Sequence, residues 1–520
     1  MQKVQLLLKP VLQNSTMTLV EIQQTLCRSY NHNELFTTME YSKYGCLTSY
    51  YNSNEIECYD DTGKLEIIVE EKEKIKYYYF SRKTYGDIHL SYKAKVFEVF
   101  NYPNPAYSLH PRNHGATGFG ATFLLIPNES CDYTIDYLCD HYCACSYGIG
   151  KTKRILDYNT LGSTCFAFNA YSLYHEPDSY FYIVYFEDDL RFFDEIKTKL
   201  TMYYNYMHDL FSNKEDPYLI FMYRKEKKYQ ISLTGTAEEN VCLMGYGDEL
   251  VNSYKDIEAT LVHELIHNFI DLKDPEHAYH SLFDEGTADY YSVMIPYILK
   301  INTLEETIDQ YNKLLKFYYS NPWKERSLKD AYDHGWTHSY AIRISYGKGL
   351  LLMIGLDSLL KKYHSSYTLM DLIILHVLNS NIGLLDFIQL IDQEVNGEAS
   401  IYLDSLLKEG KNILLPGLFD DYQIIEETIL LEDNGFDDTV AFSNPKIVVN
   451  IDLYSNAYKA GLRNGDILLN KINEWRNGED DTRIATYQVQ RNNQILEISY
   501  LPRGKETYCF QFKAKKGRQA

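Results

Sequence analysis

The chain has 520 residues, enough for two to four domains rather than one core. It is 45% hydrophobic and 24% charged, a globular balance, and 51 basic against 72 acidic residues leave a net charge of −21. That charge repels nucleic acid over most of the surface, and the longest apolar run, "GLLLMIGL", is far below the roughly 18 residues that cross a bilayer, so neither nucleic acid nor membrane is expected as a partner.

Ten cysteines are spread from Cys27 to Cys509 without the dense spacing of a disulfide framework. The opening "MQKVQLLLKPVLQNST" has only a three-leucine run and lacks the apolar core and small-residue cleavage site of a signal peptide, so a cytoplasmic location is expected. Fifty tyrosines are scattered along the chain. They carry no functional signal.

Taken in chain order, residues 1–170 predict a β-rich N-terminal domain. In "DIHLSYKAKVF", Ile88, Leu90, Tyr92, Ala94 and Val96 alternate on one face of a half-buried strand. "NHGATGFGATFLLIP" predicts a glycine-rich turn and a further apolar strand up to Pro127. Residues 171–415 predict a mainly α domain. In "DLRFFDEIKTKLTMYYNYMHDLF", Phe192, Phe193, Ile196, Leu200, Tyr203, Tyr204 and Met207 recur at helical spacing. "PYLIFMYR" follows as a strand, and then come helices over "EATLVHELIHNFIDL" and "EGTADYYSVMIPYILK". Residues 416–515 predict a small β-rich domain, with "KIVVNIDL", "DILLNKI" and "ILEISYL" as strands and "NAYKAGL" as a short helix. The fold class is therefore α+β multidomain.

The chemistry concentrates in "VHELIH". Positions i and i+4 of a helix share a face, so His263 and His267 can aim their imidazoles at one ion. Glu264 sits about 100° round the helix, where a carboxylate can act as base toward a water on that ion. The apolar row Ile257, Leu261, Leu265 and Phe269 occupies another azimuth and supports the helical reading. The bland alternative is a core helix whose two histidines are satisfied by hydrogen bonds. Against it, Glu285 opens another helical pattern 18 positions after His267, and two histidines plus one glutamate from a neighbouring helix form a catalytic zinc set with one position open. Asp289, one turn after Glu285, is spaced to orient a ligand histidine. One zinc ion is expected. His277 and His280 follow the helix that carries His263 and His267, with a surface position as their default. In "CDHYCAC", Cys139, His141, Cys143 and Cys145 would line one strand face, where side chains diverge rather than converge on a metal.

Three segments resemble the glycyl aminopeptidase family of gluzincin zinc metallopeptidases, in which a β-rich domain precedes a thermolysin-like catalytic domain and a PDZ domain follows. "HELIH" with "EGTADYY" is similar to that family's metal motif, "ISYGKGLLLMIGLDSLL" to its Tyr-x-Lys-Gly helix start, and "SNAYKAGLRNGDILLNKIN" to the most recognisable part of a PDZ domain. The resemblance implies His263, His267 and Glu285 as zinc ligands, Glu264 as general base and Tyr346 as donor to the oxyanion. It implies peptide hydrolysis through zinc-activated water, with peptides or proteins as substrates and a peptide ligand for the PDZ-like domain.

The departures are specific. "HNFI" lacks the tryptophan that usually follows the second histidine, the stretch from His267 to Glu285 is shorter than typical, and "TGTAEENV" replaces the glycine-rich strand ahead of the metal helix. In that last segment Glu238 and Glu239 are candidates for holding a substrate α-ammonium, the feature of an aminopeptidase, and a solvated acidic turn is the equal alternative. The competing functions are an endopeptidase of the same clan and a catalytically inactive PDZ scaffold.

Overall fold

Alternation at 88–96 becomes the strand Ile88–Lys95, whose residues are buried and exposed in strict turn, because its neighbours offer an apolar face on one side only. The structure is a computed structural model that describes residues 1–43, 46–97, 107–177, 179–211, 216–225, 233–247, 253–378, 383–443, 445–472 and 482–515. Its contacts divide the chain into two compact units, Met1–Asn205 with Asn213–Ile257, and Tyr206–Ser212 with Glu258–Ala520.

The first unit is built on sheets. A seven-stranded sheet runs in the order Thr152–Leu156, Cys131–Tyr137, Gln2–Gln13, Thr16–Leu26, Ile88–Lys95, Glu57–Asp60 and Gly63–Lys64. The first two long strands, Gln2–Gln13 and Thr16–Leu26, form a hairpin whose turn is made by Asn14 and Ser15, both with positive φ. A second sheet joins Gly115–Phe119 to Cys165–Ala170 and Tyr142–Cys145. A third places Phe181–Tyr185, Tyr218–Arg224 and Val241–Tyr246 in parallel, and the short strand Ala237–Glu238 pairs antiparallel on the last of them. The parallel strands are buried almost throughout, as a sheet covered on both faces requires.

The second unit is built on helices. Those that matter here are α1 (Lys255–His267), α2 (His277–Ile298), α3 (Leu304–Tyr319), α4 (Leu328–His334), α5 (Arg343–Lys362) and α6 (Glu398–Leu407). Thr303 caps α3 in a capping box with Glu306. The side chain of Lys348 on α5 is fully buried and donates to the carbonyls of Leu406 (2.6 Å) and Lys408 (3.3 Å) at the end of α6. Burial pushes its ammonium down to about 8. The lysine of the "SYGKG" segment is therefore a helix-end clamp.

Tyrosine is a core residue in this unit. Tyr311 donates to the carbonyl of Tyr290 (2.9 Å), Tyr318 to that of Lys324 (2.8 Å), Tyr319 to that of Asn412 (3.0 Å) and Tyr402 to that of Leu351 (3.0 Å). Each ring fills the interior while its hydroxyl satisfies a buried acceptor.

Near the C-terminus, Tyr422–Glu432 pairs antiparallel with Arg503–Ala514, and Ile467–Lys471, Ala485–Arg491 and Gln494–Tyr500 form a three-stranded antiparallel sheet. Asn312 of α3 bonds both backbone groups of Phe512, through Nδ2 to the carbonyl (2.9 Å) and Oδ1 from the amide (2.8 Å). This fastens the strand Arg503–Ala514 to the helices. The short helix expected in "NAYKAGL" is Asn456–Lys459, capped by Ser455.

Three expectations from alternation are corrected. "KIVVNIDL" forms no strand and contributes one bridge, Ile447 to Ile467. After Gly115–Phe119 the chain makes one helical turn, Gly120–Phe123, instead of continuing as a strand, and the Leu124 amide closes that turn on the Gly120 carbonyl (2.8 Å). In "CDHYCAC" the strand starts only at Tyr142, so Cys139 and His141 lie outside it.

Candidate metal centre and active site

Helix α1 buries Ile257, Leu261 and Leu265 at about 1% exposure each, and this apolar anchorage turns His263 and His267 to the opposite side. Helix α2 starts at His277, well before Glu285, so that residue and Asp289 project from the interior of a long, rigid element. The donor atoms of His263, His267 and Glu285 all lie within 4.8 Å of one another. The separations are 3.2 Å between the two Nε2 atoms, 3.2 Å from His263 Nε2 to Glu285 Oε2 and 3.7 Å from His267 Nε2 to the same oxygen.

Those edges test whether zinc fits. Bonds of about 2.0–2.1 Å at tetrahedral angles put ligand atoms about 3.3–3.4 Å apart, the size of this triangle. Asp289 Oδ1 accepts from His263 Nδ1 at 3.0 Å, which assigns the ring proton to Nδ1 and leaves Nε2 as a lone pair facing the triangle. Two imidazole nitrogens and a carboxylate oxygen facing one another at contact distance need a positive charge between them. The donor set fits a divalent zinc ion.

Electrostatics tell the same story. Burial alone would lower the His263 pKa, but the Asp289 and Glu285 carboxylates on its two nitrogens outweigh that and hold it well above its ordinary value. Burial would raise Glu285, and the imidazoles of His263 and His267 hold it well below the usual carboxylate range instead. Either a proton or a metal ion satisfies this site.

Tyr346 reaches the same place from α5. Its ring lies 6.0 Å from that of His263, nearly parallel at 10°. Burial, followed by the negative charges of Glu285, Asp289 and Glu264, pushes its phenol well above the ordinary value, so it stays protonated and able to donate. Helices α2 and α5 come this close because glycine faces glycine. A Cβ on Gly286 would lie 2.3 Å from the carbonyl carbon of Gly349, and one on Gly349 would lie 2.3 Å from the carbonyl oxygen of Leu282. This contact sets Glu285 against Tyr346. Two glycines inside helical patterns were its only trace in the sequence.

Glu238 and Glu239 belong to the first unit and are not part of this cluster. Glu239 is exposed; Glu238 is half-buried, and burial raises its carboxyl to about 7. The sequence also missed a clamp on the connection between α1 and α2. Asp284 Oδ1 accepts from the Leu272 amide at 3.2 Å, and His280 Nδ1 donates to the Leu272 carbonyl. Burial raises the Asp284 carboxyl to about 8.

Comparisons with known proteins bear on the fold. No protein-family model matches the chain, and no curated protein matches it in sequence. Among solved structures, an aminopeptidase N family protein from Idiomarina loihiensis aligns with a TM-score of 0.67 at 13% identity, covering 99% of this chain and 98% of its own. The fold is thus shared with that protein over nearly its full length. An M1 zinc metallopeptidase mutant from Deinococcus radiodurans bound to a Tyr-Ser-Ala substrate aligns at TM-score 0.49 and 10% identity, covering 80% of this chain and 95% of its own. Leukotriene A4 hydrolase from Saccharomyces cerevisiae aligns at TM-score 0.47 and 13% identity, covering 79% and 68%. No described helix is long and apolar enough to cross a membrane.

Proposed function

We propose that the chain is a zinc-dependent metallopeptidase that removes residues from the amino terminus of peptides. The observation that carries this reading is the donor triangle of His263, His267 and Glu285, with Glu264 beside it on α1 and the Tyr346 phenol beside it on α5. The fold shared with an aminopeptidase N family protein supports it. A zinc ion bound there supplies Lewis-acid charge and brings the pKa of a water toward neutrality.

The chain's own residues do the rest. Glu264 takes the proton of the attacking water and delivers it to the departing amine. Tyr346 donates a hydrogen bond from its phenol to the carbonyl oxygen as negative charge develops there. Asp289 holds the His263 ring and its tautomer.

The C-terminal strands are assigned as a PDZ-like module, and its peptide would lie in the cavity of about 240 Å³ bounded by Phe436, Lys446, Leu468 and Tyr487. The test of the catalytic assignment is Glu264→Gln in zinc-loaded protein, with peptide digests read by mass spectrometry. Zinc content unchanged and turnover abolished is the expected result; wild-type turnover would reject the base.

A further inference from the structure

Among the described residues of the second unit, two other sets of ligand-type atoms converge within 4.8 Å, His338 with Asp437 and Asp438, and Asp271 with His280 and Asp284. In the first set the carboxylates are already engaged. Asp437 accepts from the Thr439 amide (3.0 Å), the Thr439 hydroxyl (2.7 Å) and Asn450 Nδ2 (3.0 Å), and Asp438 accepts from the Tyr340 amide (3.2 Å). The second set differs.

His280 has its Nδ1 bound to the Leu272 carbonyl, which assigns the proton to Nδ1 and turns the Nε2 lone pair toward the carboxylates. Histidine ligands are commonly prepared in this way, by a backbone carbonyl on the distal nitrogen. Nε2 stands 3.3 Å from Asp284 Oδ2, the edge that two donors on one zinc ion require. Asp284 Oδ1 is held by the Leu272 amide, so Oδ2 is fixed in direction. Asp271, on the exposed connection, closes the group from the solvent side.

We propose that Asp271, His280 and Asp284 form a second divalent-metal site, suited to zinc or another ion that accepts one imidazole and two carboxylates, which pins the connection between α1 and α2. The site leaves positions open to water and stands on residues distinct from those assigned to catalysis. A metal there crosslinks an otherwise exposed connection to the helix that carries Glu285.

The experiment is zinc counting on the tag-free full chain, stripped by chelation, re-equilibrated with zinc sulfate, freed of unbound metal and analysed by mass spectrometry of the element. Wild type should hold two ions per chain, His267→Ala one, and His280→Ala one. Asp271→Asn, a surface change that spares the fold, should weaken the second equivalent at least tenfold in a zinc titration. One ion in wild type and none in His267→Ala overturns the second site and leaves the catalytic one standing. Two ions in wild type with His280→Ala and Asp271→Asn indistinguishable from it also overturns the proposal. No bound ion in wild type defeats both sites.

Discussion

Replacing Gly286 by alanine adds one methyl group and should uncouple the two halves of the active site. Its Cβ would stand 2.3 Å from the Gly349 carbonyl carbon and 2.4 Å from its Cα. Carbon atoms in contact prefer about 3.5–4.0 Å, so α5 must retreat by about 1 Å. Both neighbours are backbone, and no rotamer change relieves the overlap. Overpacking of this kind costs about 1–3 kcal/mol, and the better helix propensity of alanine returns at most about 1 kcal/mol. Tyr346 lies one turn before Gly349 and moves with α5, whereas Glu285 stays with α2. A misplacement of about 1 Å at a reacting centre costs about 10²-fold in rate. Gly286→Ala should therefore keep its zinc at the triad, unfold at lower denaturant and lose about 10²-fold in kcat. Zinc content, denaturant midpoint and peptide hydrolysis measured on one preparation decide it. Wild-type kcat with an unshifted midpoint refutes the reasoning.

Tyr346→Phe keeps the ring beside His263 and removes the donor, so kcat should fall about 10²–10³-fold with zinc content unchanged; an unchanged kcat would show that the phenol does not meet the oxyanion. Asp289→Asn should weaken zinc binding about 10–100-fold in a competition with a chromogenic chelator, since the carboxylate on His263 Nδ1 is lost; equal affinity would rule out the orienting role. Glu238 titrates near 7 in the folded chain against about 4.5 unfolded, so the folded state binds its proton more tightly. Its favourable contribution is present in full below about pH 4.5 and is lost as pH rises through 7, by up to about 3 kcal/mol. The stability of wild type relative to Glu238→Gln should fall over that window, and a pH-independent difference would mean that the carboxyl is not buried as described.

What the sequence conveyed follows from how local each feature is. His263, His267 and Glu285 were legible because helical spacing alone puts the first two on one face, and the carboxylate follows at short range. Asp289 was legible for the same reason, one turn from Glu285. The approach of Gly286 to Gly349 was not, since it joins positions far apart in the chain and depends on how two helices cross. The clamp on Leu272 was equally hidden, because a backbone acceptor carries no residue code. Alternation misled at "KIVVNIDL", where an extended apolar pattern finds a partner only at Ile447. A strand needs an edge to pair with, and the period-two pattern does not say whether one is there.

The central claim is that two imidazoles and one carboxylate from α1 and α2 hold a single catalytic zinc ion. A crystal of the zinc-loaded protein, with anomalous differences collected on either side of the zinc absorption edge, measures it directly. The account predicts a peak about 2.0–2.1 Å from His263 Nε2, His267 Nε2 and a Glu285 carboxylate oxygen, with Glu264 outside the coordination sphere. A map without density at that point, or a peak ligated by Glu264 in place of Glu285, contradicts it.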